Sequence, residues 1–343
     1  MHPVKSTEPI LLSFIVAAYN VERYINKCVS EILVATEQTK EKTELVIIDD
    51  GSTDGTAGIL DKYADAYPGF INVHSQENAG QSVARNVGMR HARGEYIWFV
   101  DADDFINSQS FSEVLEIIDR GDCDYYLFES NRIDKDGNIT GRFRLGCEPA
   151  IYGKINFTYE FVQTCVPLHM PWQRIYRKSF VDKIEFPPGI THEDIHYDLR
   201  ILSREPVMSM HTLVIYNHYF TNPDSTTNTM TMQKQKQVLW VYADLIDGNA
   251  SSEFDERIQP EIEKVCVHEM LTRLMYILSL EYMHHQKRNL YAIYRKRIVD
   301  HYSVFSAKDV RLRMSLWEKI FRTSVYINSY WISLVTVRLR SML

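Results

Sequence analysis

The sequence of 343 residues is long enough for one large domain with additions or for two domains. Its 45% hydrophobic and 24% charged content is ordinary for a globular protein, and a formal net charge of −7 argues against a general nucleic-acid binder. Five cysteines without a Cys-x-x-Cys motif indicate reduced thiols and a cytosolic protein rather than a disulfide-rich secreted one.

The first hundred residues alternate short apolar runs with helical patterns. Strands are expected at residues 10–18, 45–48, 71–73 and 96–100, and helices at residues 21–36, 56–66 and 82–92. The run at 10–18 follows Lys5 and resembles a short signal peptide, but its brief, β-branched core favours a strand. Strands and helices that alternate in this way predict a doubly wound α/β fold.

Several carboxylates follow the second predicted strand. Asp49, Asp50 and Asp54 lie in a segment that reads Asp-Asp-Gly-Ser-Thr-Asp-Gly, and Asp54 is expected to cap the following helix. With Asp61 at its twelfth position the segment imitates a calcium-binding EF-hand loop, but that motif requires a helix where a strand is expected here. Carboxylates at this strand end are better placed to accept hydrogen bonds from a ribose or a base.

The central strand ends in an acidic segment. Residues 96–104 read Tyr-Ile-Trp-Phe-Val-Asp-Ala-Asp-Asp, so an apolar run leads directly into three carboxylates. Asp101 and Asp103 would face opposite sides of a continuing strand and can converge only if the chain turns. Such oxygen ligands suit Mg²⁺ or Mn²⁺, which bind phosphate oxygens together with one or two carboxylates. For an isolated Asp-x-Asp segment, a solvated acidic turn is the alternative.

Four motifs occur in series over roughly residues 10–105. They are Ile-Val-Ala-Ala-Tyr-Asn at 15–20, Val-Ile-Ile-Asp-Asp-Gly-Ser-Thr-Asp at 46–54, Asn-x-Gly-x-Ser-x-Ala-Arg-Asn-x-Gly at 78–88, and Gly-Glu-Tyr-Ile-x-Phe-Val-Asp-Ala-Asp-Asp at 94–104. In order and spacing they resemble the nucleotide-sugar half of inverting family-two glycosyltransferases of the bacterial surface-polysaccharide type, although that family often has proline at the position of Ala18. The resemblance implies a GT-A-type α/β fold: a Rossmann-like, doubly wound mixed sheet with a helical C-terminal extension.

The resemblance also implies roles for single residues on the base side of the donor site. Ala17 and Tyr19 would border the uracil, with the Tyr19 ring stacked on it. Asp49 would accept a hydrogen bond from the base. Arg85 would lie near the diphosphate or hold Asp49 in place, whereas an arginine on an arbitrary helix would more commonly be a surface residue.

The same resemblance places the metal at the end of the central strand. Asp101 would face the ribose or the water shell of the metal, and Ala102 would belong to the donor site. Asp103 would ligate the metal, with Mn²⁺ or Mg²⁺ as the expected cofactor and Asp101 as the second candidate ligand.

A second informative segment starts at residue 171 with Pro-Trp-Gln-Arg-Ile-Tyr-Arg-Lys, and the acidic pair Glu193 and Asp194 follows it. In the family a Trp-x-Lys-like segment precedes an acidic pair that opens a helix near the anomeric carbon. Arg174 stands where lysine is commoner, which leaves a phosphate contact open. We assign Asp194 as the base for the acceptor hydroxyl and Glu193 as the second choice. The alternative is a helix capped by Thr191, whose dipole favours acidic residues.

The late part of this region departs from the family pattern. The family commonly has Tyr-x-Tyr-Arg here, whereas Phe220 and Thr221 stand around the place of the arginine. A diphosphate clamp from this loop is therefore in doubt. His211 or His218 is a candidate further metal ligand, although a hydrogen-bonded structural histidine is the commoner occurrence.

The chain is predicted to contain three regions. Residues 1–105 would form the nucleotide-sugar-binding half of a GT-A domain, residues 106–230 its acceptor-binding half, and residues 231–343 a helical C-terminal region. Within the second region we expect a helix at 111–118, strands at 124–128 and 214–216, and a hairpin turn at 134–138.

The C-terminal region carries a basic surplus. Residues 261–343 contain 14 Lys and Arg against 7 Asp and Glu, a balance of +7 that leaves −14 for residues 1–260. Residues 323–337 lack charge but contain aromatic side chains, and 15 residues are fewer than the roughly 20 that span a bilayer. Flanking arginines fit a helix of residues 311–343 that lies on an anionic membrane. The alternative is a helix pair packed on the body or on a second subunit.

The sequence therefore predicts a metal-dependent inverting glycosyltransferase of the hexosyltransferase type. Its donor would be a nucleotide-diphosphate sugar, with UDP-sugars expected, and its acceptor a saccharide hydroxyl, lipid-linked or on a growing surface polysaccharide, at the cytoplasmic face of the membrane. A saccharide-binding or scaffold protein with an inactive donor site is the alternative. A nucleotidyltransferase is a further alternative, but a Gly-rich phosphate loop would be expected where Tyr19 and Asn20 stand.

Overall fold

The computed structural model describes residues 9–166, 170–220, 222, 231–279, 284–301, 325 and 333. These residues fall into two compact units, one drawn from Met1–Ile155 and Pro167–Thr229 and the other from Asn156–Val166 and Met230–Leu343. The predicted donor and acceptor halves share the first unit apart from residues 156–166 and residue 230, and their separate roles stay a prediction.

Within the described residues, ten strands form one mixed sheet in the first unit. They are β1 Leu12–Ala18, β2 Thr43–Asp49, β3 Ile71–Ser75, β4 Tyr96–Asp101, β5 Phe105–Ile106, β6 Tyr125–Ile133, β7 Ile139–Phe143, β8 Ala150–Lys154, β9 Arg174–Arg177 and β10 Val207–Tyr219. The order across the sheet is β3-β2-β1-β4-β9-β6-β10-β5, with β7 paired to β6 and β8 paired to β10.

The helices alternate with the strands in the first half of the chain and dominate the described part of its last third. They are α1 Ile25–Ala35, α2 Thr56–Ala66, α3 Gln81–His91, α4 Phe111–Ile118, α5 Tyr159–Cys165, α6 Lys178–Val181, α7 Glu193–Leu202, α8 Met232–Asp247, α9 Gln259–Ser279 and α10 His284–Asp300. Helices α2 and α4 have the bounds that the sequence predicts.

The central strands are apolar along almost their whole length because both faces of the sheet are covered. Phe14 of β1 lies in register with Leu45 of β2 and Trp98 of β4, and all three are fully or almost fully buried. The Trp98 indole donates to the carbonyl of Trp172 at 2.8 Å, so its one polar group is satisfied inside the core.

Two predicted features of the first unit need correction. Gly55, not Asp54, is the N-cap of α2. The Asp54 carboxylate instead accepts from the amides of Thr56 at 2.9 Å and Glu22 at 3.2 Å, so it ties the segment after β1 to the start of α2. The first helix begins at Ile25 rather than at residue 21, since the chain leaves β1 through Asn20 with a left-handed φ of 53°.

The second half of the sheet extends the short strands predicted there. β6 and β10 are 9 and 13 residues long and pair in parallel. The predicted turn between β6 and β7 is present, because the Asp134 carboxylate accepts from the amides of Asp136 and Asn138, each at 2.9 Å.

The second unit is helical in its described part. The Tyr294 hydroxyl of α10 donates to the carbonyl of Gln235 in α8 at 2.7 Å, and His301 contacts Glu263 of α9 at 2.6 Å. Among the described residues, no helix combines the length and the apolar character needed to cross a bilayer. The predicted membrane-binding segment, residues 311–343, lies outside the described residues except for positions 325 and 333.

Candidate active site

The strands of the first unit bring the predicted site residues to one edge of the sheet. β1 is parallel to β2 and β4, and β6 is parallel to β10. Because β9 is antiparallel to both β4 and β6, β4 and β6 run in the same direction. The carboxyl ends of these five strands therefore share the edge at which open α/β sheets bind ligands.

The predicted base-binding residues end β1 and β2. Ala17 lies between Ile48 of β2 and Asp101 of β4, and Tyr19 follows the strand with 47% of its surface exposed. The exposed Tyr19 ring is available for stacking, whereas Asp49 is buried and its Oδ1 accepts from the amide of Ser52 at 3.1 Å.

The acidic loop after β2 is organised by Asp50. Its carboxylate accepts from the amides of Ala79 at 2.9 Å and Gly80 at 2.8 Å, which joins the loop to the start of α3. Gly51 has a φ of 73°, and a Cβ there would lie 2.8 Å from the amide nitrogen of Asn78. The loop needs glycine at this position, and it follows a strand rather than the helix of an EF-hand.

The chain turns at the end of the central strand, which is the condition for Asp101 and Asp103 to converge. β4 ends at Asp101, and the amide of Asp104 donates to the Asp101 carbonyl at 3.0 Å. Ala102 is buried inside this turn. The hydroxyl of Tyr216 accepts from the Asp101 amide at 3.0 Å and so fixes the turn to β10.

Asp103 is half-buried in a strongly acidic environment. Burial, followed by the charges of Asp104 and Asp101, raises the pKa of Asp103 to about 7. One oxygen of its carboxylate accepts from the Asn222 amide at 2.6 Å. The ionised form of Asp103 is therefore disfavoured unless a cation compensates for its charge.

Asp104, unlike the neighbouring Asp103, has hydrogen-bond partners on both carboxylate oxygens within the described residues. It is fully buried and accepts from the Tyr219 amide at 2.7 Å, while its second oxygen contacts His218 Nδ1 at 2.8 Å. Burial alone would lower the pKa of His218, but the hydrogen bond and charge of Asp104 outweigh it and raise that pKa. These contacts place His218 as a structural partner of Asp104.

Arg85 connects the donor side of the site with the predicted base. Its side chain is 5% exposed, and its guanidinium contacts Asp101 at 2.7 Å and Glu193 at 2.8 Å. Burial would lower the pKa of Arg85, but Asp101 and Glu193 outweigh it and raise that pKa. In the described part of the chain, no hydrogen bond joins Arg85 to Asp49. Arg85 therefore does not hold Asp49 in place by a direct contact.

The predicted bases open α7. Burial raises the pKa of Glu193 to about 7, although Arg85 partly offsets that effect. Asp194 is half-buried, and its Oδ1 accepts from the amide of Ile195 at 2.9 Å. His192, with a left-handed φ of 67°, occupies the N-cap position of α7, which corrects the alternative of a Thr191 cap.

The residue chemistry at the end of β4 fits a divalent cation held by few protein ligands. Among the described residues, no group of three or more His, Cys, Asp or Glu side chains is arranged as a metal site. Mg²⁺ and Mn²⁺ use one or two carboxylates and complete their shell with water and phosphate oxygens. Asp103, whose half-buried charge needs compensation, and Asp101 provide that donor set.

Two further predicted candidates serve the fold. Arg174 is fully buried, bonds the Tyr125 hydroxyl and the Met170 carbonyl, and pairs with Asp198 at 3.3 Å, so it is a core residue without room for a phosphate. His211 stacks on Phe128 with ring centres 5.3 Å apart, and burial lowers its pKa.

Asn222 and Tyr216 contact the acidic turn and were missed by the sequence analysis. Tyr216 lies in the predicted late strand, but its contact with Asp101 depends on a sheet order that the sequence does not give, with β9 and β6 between β4 and β10. Asn222 follows β10 without any motif, and no sequence signal identifies it.

The sequence model described as glycosyl transferase family 2 matches residues 13–184. EpsJ of Bacillus subtilis strain 168, described as an uncharacterized glycosyltransferase, is 37% identical over 127 residues, which are 36% of this chain and 36% of EpsJ. TarS of Staphylococcus aureus, described as a poly(ribitol-phosphate) beta-N-acetylglucosaminyltransferase, is 32% identical over 132 residues, which are 38% of this chain and 23% of TarS. Each match thus spans less than two thirds of the relative.

Solved structures are similar over almost the whole chain. The crystal structure of S. aureus TarS 1–349 in complex with UDP-GlcNAc has a TM-score of 0.71 at 19% identity and covers 97% of this chain and 92% of that one. The mannosyltransferase PcManGT from Pyrobaculum calidifontis in complex with GDP-Man and Mn²⁺ has a TM-score of 0.52 at 14% identity and covers 98% of this chain and 88% of that one. These likenesses show the fold and confirm the predicted mixed α/β architecture with a helical C-terminal region.

Proposed function

The chain belongs to glycosyl transferase family 2, and from this premise we propose that it transfers a sugar from a UDP-sugar to a hydroxyl of a saccharide acceptor with inversion. Its fold is the GT-A type that the sequence motifs imply. The UDP-GlcNAc in the TarS complex supports a UDP-sugar as the donor class. Ala17, Tyr19, Asp49 and Ala102 would surround the donor nucleotide at the strand ends.

Asp103 and Asp101 would hold Mn²⁺ or Mg²⁺. When bound, the ion supplies positive charge to the diphosphate that leaves the sugar. The Mn²⁺ in the PcManGT complex supports this cofactor class. Asn222 and the backbone turn at Asp104 would keep the Asp103 carboxylate in place for the ion.

Asp194 would act as the catalytic base. Its carboxylate takes the proton of the acceptor hydroxyl, and that oxygen forms a bond to the anomeric carbon. The bond from the anomeric carbon to the diphosphate oxygen breaks on the opposite face, so a single displacement inverts the configuration. Arg85, paired with Glu193, would hold the start of α7 against the end of β4.

The observation that carries this proposal is the pair of contacts of Arg85. Through contacts of 2.7 Å and 2.8 Å, this one buried cation joins Asp101 of the Asp-x-Asp segment to Glu193 of α7, which lies more than ninety residues later in the chain. A base beside a charge-stabilised leaving group is the arrangement that sugar transfer requires.

We expect the purified protein to release UDP from at least one UDP-sugar when Mn²⁺ is present, because water can replace the acceptor slowly. A panel of UDP- and GDP-sugars is incubated with and without Mn²⁺, and free nucleotide is measured. Nucleotide release that stops with EDTA supports the proposal. A protein that binds the donors but releases no nucleotide with any acceptor saccharide is instead a saccharide-binding or scaffold protein.

The acceptor would be a lipid-linked saccharide or a growing cell-surface polysaccharide at the inner face of the membrane. The polymer in the name of TarS and the basic surplus of residues 261–343 support this class. Electrostatic binding to anionic lipids weakens with salt. Sedimentation with anionic vesicles at low and high salt tests this location. A protein that does not sediment with such vesicles at low salt is not bound to the membrane by its basic region.

A further inference from the structure

Arg132 lies at the active-site edge but takes no part in the site described above. It is the next-to-last residue of β6 and lies in register with His218 of β10 and with Gly141 of β7. Because β4 and β6 run in the same direction, Arg132 is near the same sheet edge as Asp101.

Among the described residues, the guanidinium of Arg132 has no ion-pair or hydrogen-bond partner. Its Nε atom is buried. The buried Arg85 and Arg174, by contrast, each pair with carboxylates. A partly buried cation without a carboxylate partner is costly, and an anionic ligand would compensate for its charge.

Two aromatic rings accompany this cation. The Arg132 guanidinium lies 4.2 Å from the ring centre of Phe220 and 5.6 Å from that of Phe143. Phe220 is 46% exposed, which is unusual for so large an apolar side chain. The exposed ring can pack against the apolar C–H face of a sugar, while the cation beside it can bind an anionic substituent of that sugar.

The rings continue from the acidic turn. His218, which contacts Asp104, stacks on Trp172 with ring centres 5.0 Å apart. The chain turns after His218, since the Phe220 amide donates to the His218 carbonyl at 2.9 Å, and the ring centres of His218 and Phe220 lie 6.2 Å apart. In the sheet order, β6 is three strands from β1, or about 14 Å away, whereas the predicted base-binding residues end β1 and β2. The cation is therefore displaced towards the acceptor side.

We propose that Arg132, Phe143 and Phe220 form an acceptor subsite that binds a saccharide carrying an anionic group, a phosphate or a carboxylate. This assignment rests on the proposed glycosyltransferase function, since it names the class of acceptor for that reaction. The guanidinium binds the anion, and the Phe220 ring packs against the sugar to which the anion is attached.

The test measures binding, not turnover, so that it does not depend on transfer. With UDP and Mn²⁺ at saturation, dissociation constants are measured for glycerol 3-phosphate, glucuronate and neutral methyl β-glucoside. Arg132→Gln is expected to raise the dissociation constant of at least one of the two anions about 10- to 100-fold, as the loss of a charge-assisted hydrogen bond does. The dissociation constant of the neutral glycoside should not change. Phe220→Ala should weaken the binding of both glucuronate and the neutral glycoside.

Arg142→Gln is the matched control. Arg142 lies on β7 in register with Asn131, so its side chain points to the opposite face of the sheet from Arg132, and it pairs with Glu129 at 3.5 Å. This control should bind all probes like the unmodified protein.

Equal affinity of Arg132→Gln and the unmodified protein for both anions, at equal melting temperature, overturns the subsite. A loss confined to UDP affinity also overturns it, because Arg132 would then serve the donor diphosphate. UDP release in the hydrolysis experiment together with unaltered anion binding would reject this subsite and leave the proposed function intact.

Discussion

Asp103→Asn is expected to abolish metal-stimulated transfer, with a loss of at least about 10²-fold in kcat. The amide keeps the shape of the side chain and can still accept from Asn222, but it removes the negative oxygen that would bind the ion. Initial rates of UDP release with and without Mn²⁺ measure the effect. Asp136→Asn, in the exposed hairpin after β6, is the matched control and should behave like the unmodified protein.

The same substitution is expected to preserve or raise the stability of the metal-free protein. The folded-state pKa of Asp103, about 7, lies above the ordinary aspartate value, so the native state binds this proton more tightly than the unfolded chain. The contribution of Asp103 to stability therefore falls as pH rises from about 4 to about 7. Asp103→Asn removes that fall, which thermal unfolding between pH 5 and 8 in EDTA would show. An Asp103→Asn variant with near-normal activity and an unchanged Mn²⁺ requirement would contradict the assignment of Asp103 as a metal ligand.

Asp194→Asn is expected to lower kcat by about 10²- to 10⁴-fold while donor affinity changes little, since a positioned general base contributes that much. Glu193→Gln should act differently, because it breaks the buried ion pair with Arg85 and lowers stability as well as rate. The comparison uses kcat, the donor Kd and the melting temperature of both variants.

Asp194 is the wrong base if Glu193→Gln is inactive but folded while Asp194→Asn keeps near-normal kcat. The structure separates the two carboxylates physically. Arg85 holds Glu193 inside the site, whereas the Oδ1 of Asp194 accepts a bond from the neighbouring Ile195 amide. The pairing with Arg85 suits Glu193 to a positioning role and leaves Asp194 as the proton acceptor.

Local patterns were sufficient for the donor half of the fold. β1, β2 and β4 are short apolar runs buried on both faces, and the helices between them have an apolar period, so the order of elements follows from residues close in sequence. The bounds of α2 agree with the prediction for this reason, and so do those of α4, which follows the donor half. The Asp-x-Asp segment can also be recognised from the sequence, because three acidic residues at the end of an apolar strand are chemically unusual.

The contacts that build the site could not be predicted in the same way, because they join residues far apart in the chain. The Arg85–Glu193 pair spans 108 residues and the Asp103–Asn222 contact spans 119. Arg174 shows the converse problem: its place in a family-like motif left a phosphate contact open, but the fold buries it against Asp198. Whether an arginine is paired or unpaired, as Arg132 is within the described residues, depends on this tertiary arrangement alone.

The configuration of the product tests the central claim most directly. An active UDP-sugar with an α-linked sugar is incubated with Mn²⁺ and an accepted saccharide, and the coupling constant of the new anomeric proton is measured by NMR. A single displacement assisted by Asp194 predicts a β-linked product. An α-linked product would contradict the account, because it requires a second displacement or a different approach to the anomeric carbon.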